Sequence, residues 1–238
     1  MDDILIADRS DLIEIREIWE DKFPADEEYQ QIMFSQVMPL CTNYIVKSCT
    51  DAIISVISLM PMRFINEQKG VFLNGWYMFG VATRSCFEGK GYASRLINHA
   101  ISNLERDNYS FIFERPANQE LTSFYLKFGF TKLLKKKDCR FDTITRNSKD
   151  TKESNVSKES KEIKDAEYVI NKLRLFPKRF EWGSSELLES LINLGEIERH
   201  QELLTPESLQ EECYIAVKPL NNTPESLFDD AFFCFPLE

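Results

Sequence analysis

The chain has 238 residues, 43% of them hydrophobic, which supplies a sizeable core and excludes wholesale disorder. A formal net charge of −10 argues against a nucleic-acid footprint, and no apolar run reaches the length of a membrane span. The six cysteines (Cys41, Cys49, Cys86, Cys139, Cys213, Cys234) form no CxxC pair and show no metal-ligand spacing. With no leader visible, they read as reduced thiols of a cytoplasmic protein without a metal.

In chain order, "ILIADRSDLIEIREIWEDKF" starts with a short apolar strand. Ser10 or Asp11 then caps a helix whose Leu12, Ile15 and Trp19 share a face. Pro24 ends that helix, and "ADEEYQQIMFSQVM" predicts a second. "NYIVKSC" and "AIISVISLMPMRF", split by "TD", predict a hairpin of β-branched strands. "GVFLNGWYMFGVAT" is apolar enough to be a central strand. After "SCFEGKGY", Ala93, Leu96, Ile97, Ala100 and Leu104 repeat at helical spacing. "YSFIFE" is a strand, "NQELTSFYLKF" a helix stopped by Gly129, and "GFTKLLKKKDCRFDTI" gives one or two more strands. This order predicts an α/β (α+β) fold with a mixed, mostly antiparallel twisted sheet and helices on both faces.

"RNSKDTKESNVSKESKEIKD" then breaks the pattern, with many charges and serines. It predicts a solvated, protease-sensitive linker over 146–165, between a first domain of 1–145 and a small α/β extension of 166–238. Some seventy residues make a small independent core, so the extension should pack on the first domain.

Two glycines, Gly89 and Gly91, precede the amphipathic run, where they cost helix propensity but expose backbone N–H groups to an anion. A P-loop is ruled out, because position 84 is Arg and position 91 is Gly. The dinucleotide fingerprint is opposed by Ser94 at its third small position and by the five residues between strand and first glycine. "EGKGYA" instead resembles the pyrophosphate signature Gln/Arg-x-x-Gly-x-Gly/Ala of the GNAT N-acetyltransferase superfamily. Gly91 and Ala93 match, and Glu88 departs from the usual Gln or Arg. Farther on, Asn118, Tyr125, Gly129 and Phe130 resemble the family's later pattern. The similarity covers residues 3 to 140, and "RPANQELTSFYLKFGF" is close to a subgroup with a C-terminal extension.

The resemblance implies direct transfer of an acetyl group from acetyl-CoA to a small-molecule or peptide amine, without metal, nucleic acid or membrane, in an assembly for which a homodimer is open. It implies main-chain contacts to the pantetheine arm from Val81, Ala82 and Thr83. It implies a pyrophosphate site over Glu88, Gly89, Lys90, Gly91, Tyr92, Ala93 and Ser94, with Asn118 and Tyr125 completing the coenzyme contacts. Tyr125 is the implied proton donor to the leaving thiolate. The central strand "FLNGWYMFG" carries no carboxylate, so Glu114 is the nearest candidate base, with an ion pair to Arg115 or Lys127 as its other reading. Tyr125 as a plain core aromatic, and the glycines as a plain turn, stay open beside these. So does a non-catalytic coenzyme-binding module on the same fold.

Overall fold

The computed structural model describes residues 3–116, 119–135, 178–184, 186–188, 190–191, 214–229 and 231. The charged linker of 146–165 and Asn118 lie outside them.

Strand β1 (Ile4–Ile6) leads into α1 (Leu12–Lys22), which buries Ile15, Ile18 and Trp19 on one face. The expected side-chain cap does not form. Asp11 stands at the N-cap but already has helical φ and ψ of −70° and −21°, so its carboxylate does not reach back to the first turn. That carboxylate instead accepts from the Asp8 backbone N–H and pairs with Lys47 at 3.0 Å. Asp26 does cap α2 (Glu27–Ile32), accepting from the Tyr29 N–H. The helix then widens into a π turn over Met33–Val37 and closes as a 3₁₀ turn over Met38–Leu40.

β2 (Thr42–Lys47) and β3 (Ile53–Asn66) form the predicted antiparallel hairpin. A second hairpin joins β3 to β4 (Val71–Thr83). β3 is long enough to carry two partners on one edge: β2 along Ile53–Leu59, and β7 (Lys178–Trp182) along Met62–Asn66. α3 (Tyr92–Arg106) is the crossover to β5 (Phe111–Glu114), whose pairing with β4 is parallel, and it supplies the length that a parallel connection demands. α4 (Gln119–Leu126) and β6 (Lys132–Lys135) follow. β8 (Tyr214–Pro219) then inserts antiparallel between β5 and β6. The sheet order is β1-β2-β3-β4-β5-β8-β6. The described strands beyond residue 165, β7 and β8, are thus members of the same sheet as β1 to β6.

Each face of the sheet is covered, which is why β2 to β5 read as nearly continuous apolar runs. On one face α1, Met33 and Val37 join Phe64, Phe111, Phe113, Phe180, Trp182 and Phe228. On the other, Leu96, Ile97, Ala100, Ile101 and Leu104 of α3 pack with Met78, Ile112, Tyr125, Phe130 and Ala216. No described helix is long and apolar enough to cross a membrane.

Candidate functional site

The site begins where two strands part. β4 and β5 pair only from Gly75↔Phe111 to Met78↔Glu114, while β4 runs on to Thr83 against β3 alone. The pairing between β3 and β4 shifts between Val56↔Ala82 and Ser58↔Phe79, so β4 carries one extra residue there. Gly80 makes this bulge possible. Its φ is +59°, and a Cβ on it would sit 2.1 Å from Trp19 Cζ2. Beyond the bulge, Ser55 Oγ donates to the Ala82 carbonyl and Arg84 N–H donates to the Ile54 carbonyl. Ala82 and Arg84 therefore face β3. The alternation of a strand aims the main chain of Val81 and Thr83 at the opposite edge, into the opening.

The connection to α3 is a 3₁₀ turn over Ser85–Phe87, then Glu88 in extended conformation, then the glycine turn. Gly89 and Gly91 have φ of +73° and +82°, a region that side chains rarely tolerate. Added Cβ atoms on either would meet nothing within 4 Å, so it is backbone conformation, not crowding, that selects glycine at both. Gly91 is the N-cap of α3 and offers no side-chain cap. An intrahelical bond there runs from Arg95 N–H to the Gly91 carbonyl, so the N–H groups of the first turn point out of the helix at its N-terminal end. With the helix dipole, that is an anion site. Lys90 folds back, donating to the Cys86 carbonyl at 3.1 Å with its ammonium 4.8 Å from the Phe87 ring centre. Arg95 lies over the Tyr92 ring at 5.7 Å. Glu88 is bridged at 2.6 Å to Lys22 of α1.

At the other lip, Glu114 ends β5 with 1% of its surface exposed. Its Oε1 is buried without a hydrogen-bond partner. Burial pushes its pKa up to about 9. Tyr125 comes from α4 on the same face, 7% exposed, with its ring against Phe124 and Phe130. Burial raises its pKa, and the neighbouring charge of Glu114 raises it further. Burial also holds the Tyr77 hydroxyl above its ordinary range. Arg115 opposes that shift, while Glu114, Tyr29 and Tyr125 add to it. The charge of Glu114 acts on Tyr125, which packs on the sheet face covered by α3, whereas Tyr77 packs with Tyr29 on the face covered by α1. Lys22 and Gly80 owe their places here to contacts between residues far apart in the chain, which no local pattern marks, and Trp19, part of the apolar face of α1, packs on Gly80. His99 is apart from this group, edge-on to Tyr44 and hydrogen-bonded to Asn103 at 2.9 Å. Among the described residues no cluster of His, Cys, Asp or Glu could hold a metal ion.

A family model described as an acetyltransferase (GNAT) domain matches residues 4–133. Comparison with curated proteins finds no match. Among solved structures, the chain is similar to a probable N-acyltransferase from Enterococcus faecalis at 15% identity and a TM-score of 0.46, covering 54% of this chain and only 32% of that one. It is similar to the GNAT family N-acetyltransferase YhbS from Escherichia coli in complex with CoA at 15% identity and a TM-score of 0.44, covering 54% of this chain and 67% of that one. A GNAT family acetyltransferase from Brucella melitensis in complex with acetyl-CoA is 14% identical, with a TM-score of 0.43, covering 56% of this chain and 84% of that one.

Proposed function

Because the chain belongs to the GNAT acetyltransferase family, we propose that it moves an acetyl group from acetyl-CoA to a primary amine by direct attack. The observation that carries this reading is the buried carboxyl of Glu114, one oxygen of which has no hydrogen-bond partner, near Tyr125 and where β4 and β5 separate. Acetyl-CoA supplies the activated acetyl carbon. The main chain of Val81 and Thr83, with Ala82 between, runs along the pantetheine arm as an added strand would. The turn and first helical residues from Glu88 to Ser94 hold the pyrophosphate, and Asn118 precedes the helix that brings Tyr125.

An alkyl ammonium, pKa about 10.4, must lose a proton before it can attack. An ordinary carboxylate near 4.3 faces a transfer roughly six units uphill. Glu114, raised to about 9, narrows that gap to between one and two units. The same burial keeps Glu114 protonated at neutral pH until a cation arrives; the incoming ammonium favours the carboxylate, Glu114 releases its proton to water, and the carboxylate then takes a proton from the ammonium. The neutral amine nitrogen then bonds to the acetyl carbon, the C–S bond breaks, Tyr125 hydrogen-bonds or protonates the departing sulfur, and the surplus proton on the nitrogen passes to the tyrosinate so formed or to water, leaving the amide and the thiol.

The test pairs calorimetry with coenzyme A and a CoA-release assay across small amines, polyamines and peptide N-termini. Binding with amine-dependent release supports the enzyme. Binding without release from any acceptor points to a coenzyme-binding module, and no binding overturns the site.

A further inference from the structure

Charged side chains tie the connection between β4 and α3 to helix α1. Arg84 pairs with Glu14 at 2.8 Å and with Glu17 at 3.4 Å. Four residues on, the polarity of the link reverses. Lys22, the last residue of α1, donates from Nζ to Glu88 Oε1 at 2.6 Å and to Ser85 Oγ at 2.7 Å, and lies 3.2 Å from Asp21 Oδ2. Ser85 Oγ itself donates to Asp21 at 3.2 Å. The Lys22 side chain keeps 22% of its surface exposed, against 56% for Glu88. The ammonium is therefore fixed beside the residue that opens the glycine turn, while its carboxylate partner is largely in water.

This arrangement answers an electrostatic problem. A carboxylate at position 88 repels the phosphates that the turn and the α3 N-terminus attract. The same carboxylate, however, holds a cation at the residue that opens the turn. Exposed pairs of this kind are weak, so exchanging one acidic partner for another is inexpensive. Phosphate oxygens accept the same charge-assisted hydrogen bonds as a carboxylate, and Glu88 has solvent to turn into.

We propose that Lys22 is a ligand of the coenzyme pyrophosphate, held on Glu88 and Ser85 before binding and transferred to the phosphate oxygens when the coenzyme arrives. Glu88 is then the residue that positions the cation, and its own charge is the part of the device that opposes binding. The inference rests on the coenzyme site proposed above.

Calorimetry with three probes separates the two. Coenzyme A and ADP both carry a pyrophosphate, and pantetheine carries none. Lys22→Met should weaken coenzyme A and ADP about fivefold and leave pantetheine unchanged, with Lys22→Arg restoring most of the loss. Glu88→Gln should tighten coenzyme A about two- to threefold in the natural background, and beside Lys22→Met it should relieve the repulsion of the carboxylate without restoring the affinity of the natural protein. Thermal melting accompanies each variant, and Lys22→Gln, which keeps a hydrogen-bonding head for Ser85, replaces Lys22→Met if that variant melts early. Unchanged affinity in Lys22→Met overturns the inference. So does a Glu88→Gln variant that weakens binding as much as Lys22→Met, because the bridge would then merely brace the turn. Failure of the natural protein to bind coenzyme A would overturn the site itself, a different result from binding that ignores Lys22.

Discussion

Replacing Glu114 by glutamine keeps the shape of the side chain at the β4–β5 opening and removes its titration. Burial moves this carboxyl from an ordinary 4.5 up to about 9. A folded-state pKa above the unfolded one means that the folded protein holds the proton more tightly between those two values. The associated stability is fully present below about pH 4.5 and is lost as pH rises towards 9. At pH 7 the loss spans two and a half pH units at about 1.4 kcal/mol each, or about 3 kcal/mol. Glutamine carries no such load. Urea unfolding of the natural protein and Glu114→Gln at about pH 5, 7 and 8.5 isolates the effect, because other titrating groups cancel in the difference. The variant should be within about 1 kcal/mol of the natural protein near pH 5, about 3 kcal/mol more stable at pH 7, and further ahead at pH 8.5. A difference that stays constant with pH would refute the reasoning, since the carboxyl would then be solvated or partnered. The proposed base role makes the opposite demand on rate: Glu114→Gln should lower kcat by about 10²- to 10⁴-fold. Gained stability with unchanged kcat would leave the burial argument standing and remove Glu114 from the chemistry.

Tyr125→Phe keeps the ring against Phe124 and Phe130 and removes only the hydroxyl. It should lower kcat about ten- to a hundredfold with little change in coenzyme affinity, measured by steady-state kinetics alongside melting. Gly91→Val forces a β-branched residue to a φ of +82°, at a cost of about 1–2 kcal/mol. It also places methyl groups where phosphate approaches backbone, so coenzyme affinity should fall at least about tenfold by calorimetry. Gly80→Ala sets a methyl 2.1 Å from Trp19 Cζ2 at a φ of +59°. It should destabilise by about 2–4 kcal/mol and shift tryptophan fluorescence, and an unaltered spectrum would mean that the bulge is differently built. Gly75→Ala meets the Phe111 carbonyl at 2.5 Å across the parallel pair. It should lower the melting temperature by several degrees, read by circular dichroism.

What the sequence determined by itself is local. Helical spacing of Leu96, Ile97, Ala100 and Leu104 specified α3, because amphipathicity within one helix needs no partner to be read. Gly89 and Gly91 marked a turn that side chains cannot adopt, and both do take positive φ. The β-branched runs gave β2, β3 and β4, and the strand–turn–helix–strand order indicated a mixed sheet. Tertiary structure decided the rest, and each case involves residues far apart in the chain. Lys22 meets Glu88 across 66 positions, so an acidic residue in an anion turn acquires a cation that its neighbours do not supply. Trp19 packs on Gly80, which gives that glycine a steric reason that its own segment lacks. β8 enters the sheet beside β5 and pairs Ala216 with Glu114, a partner from far along the chain. A glutamate at a strand end is an ordinary carboxylate until the fold around it removes its water. Desolvation is set by everything that surrounds a group, whereas periodicity and propensity are set by the few residues beside it.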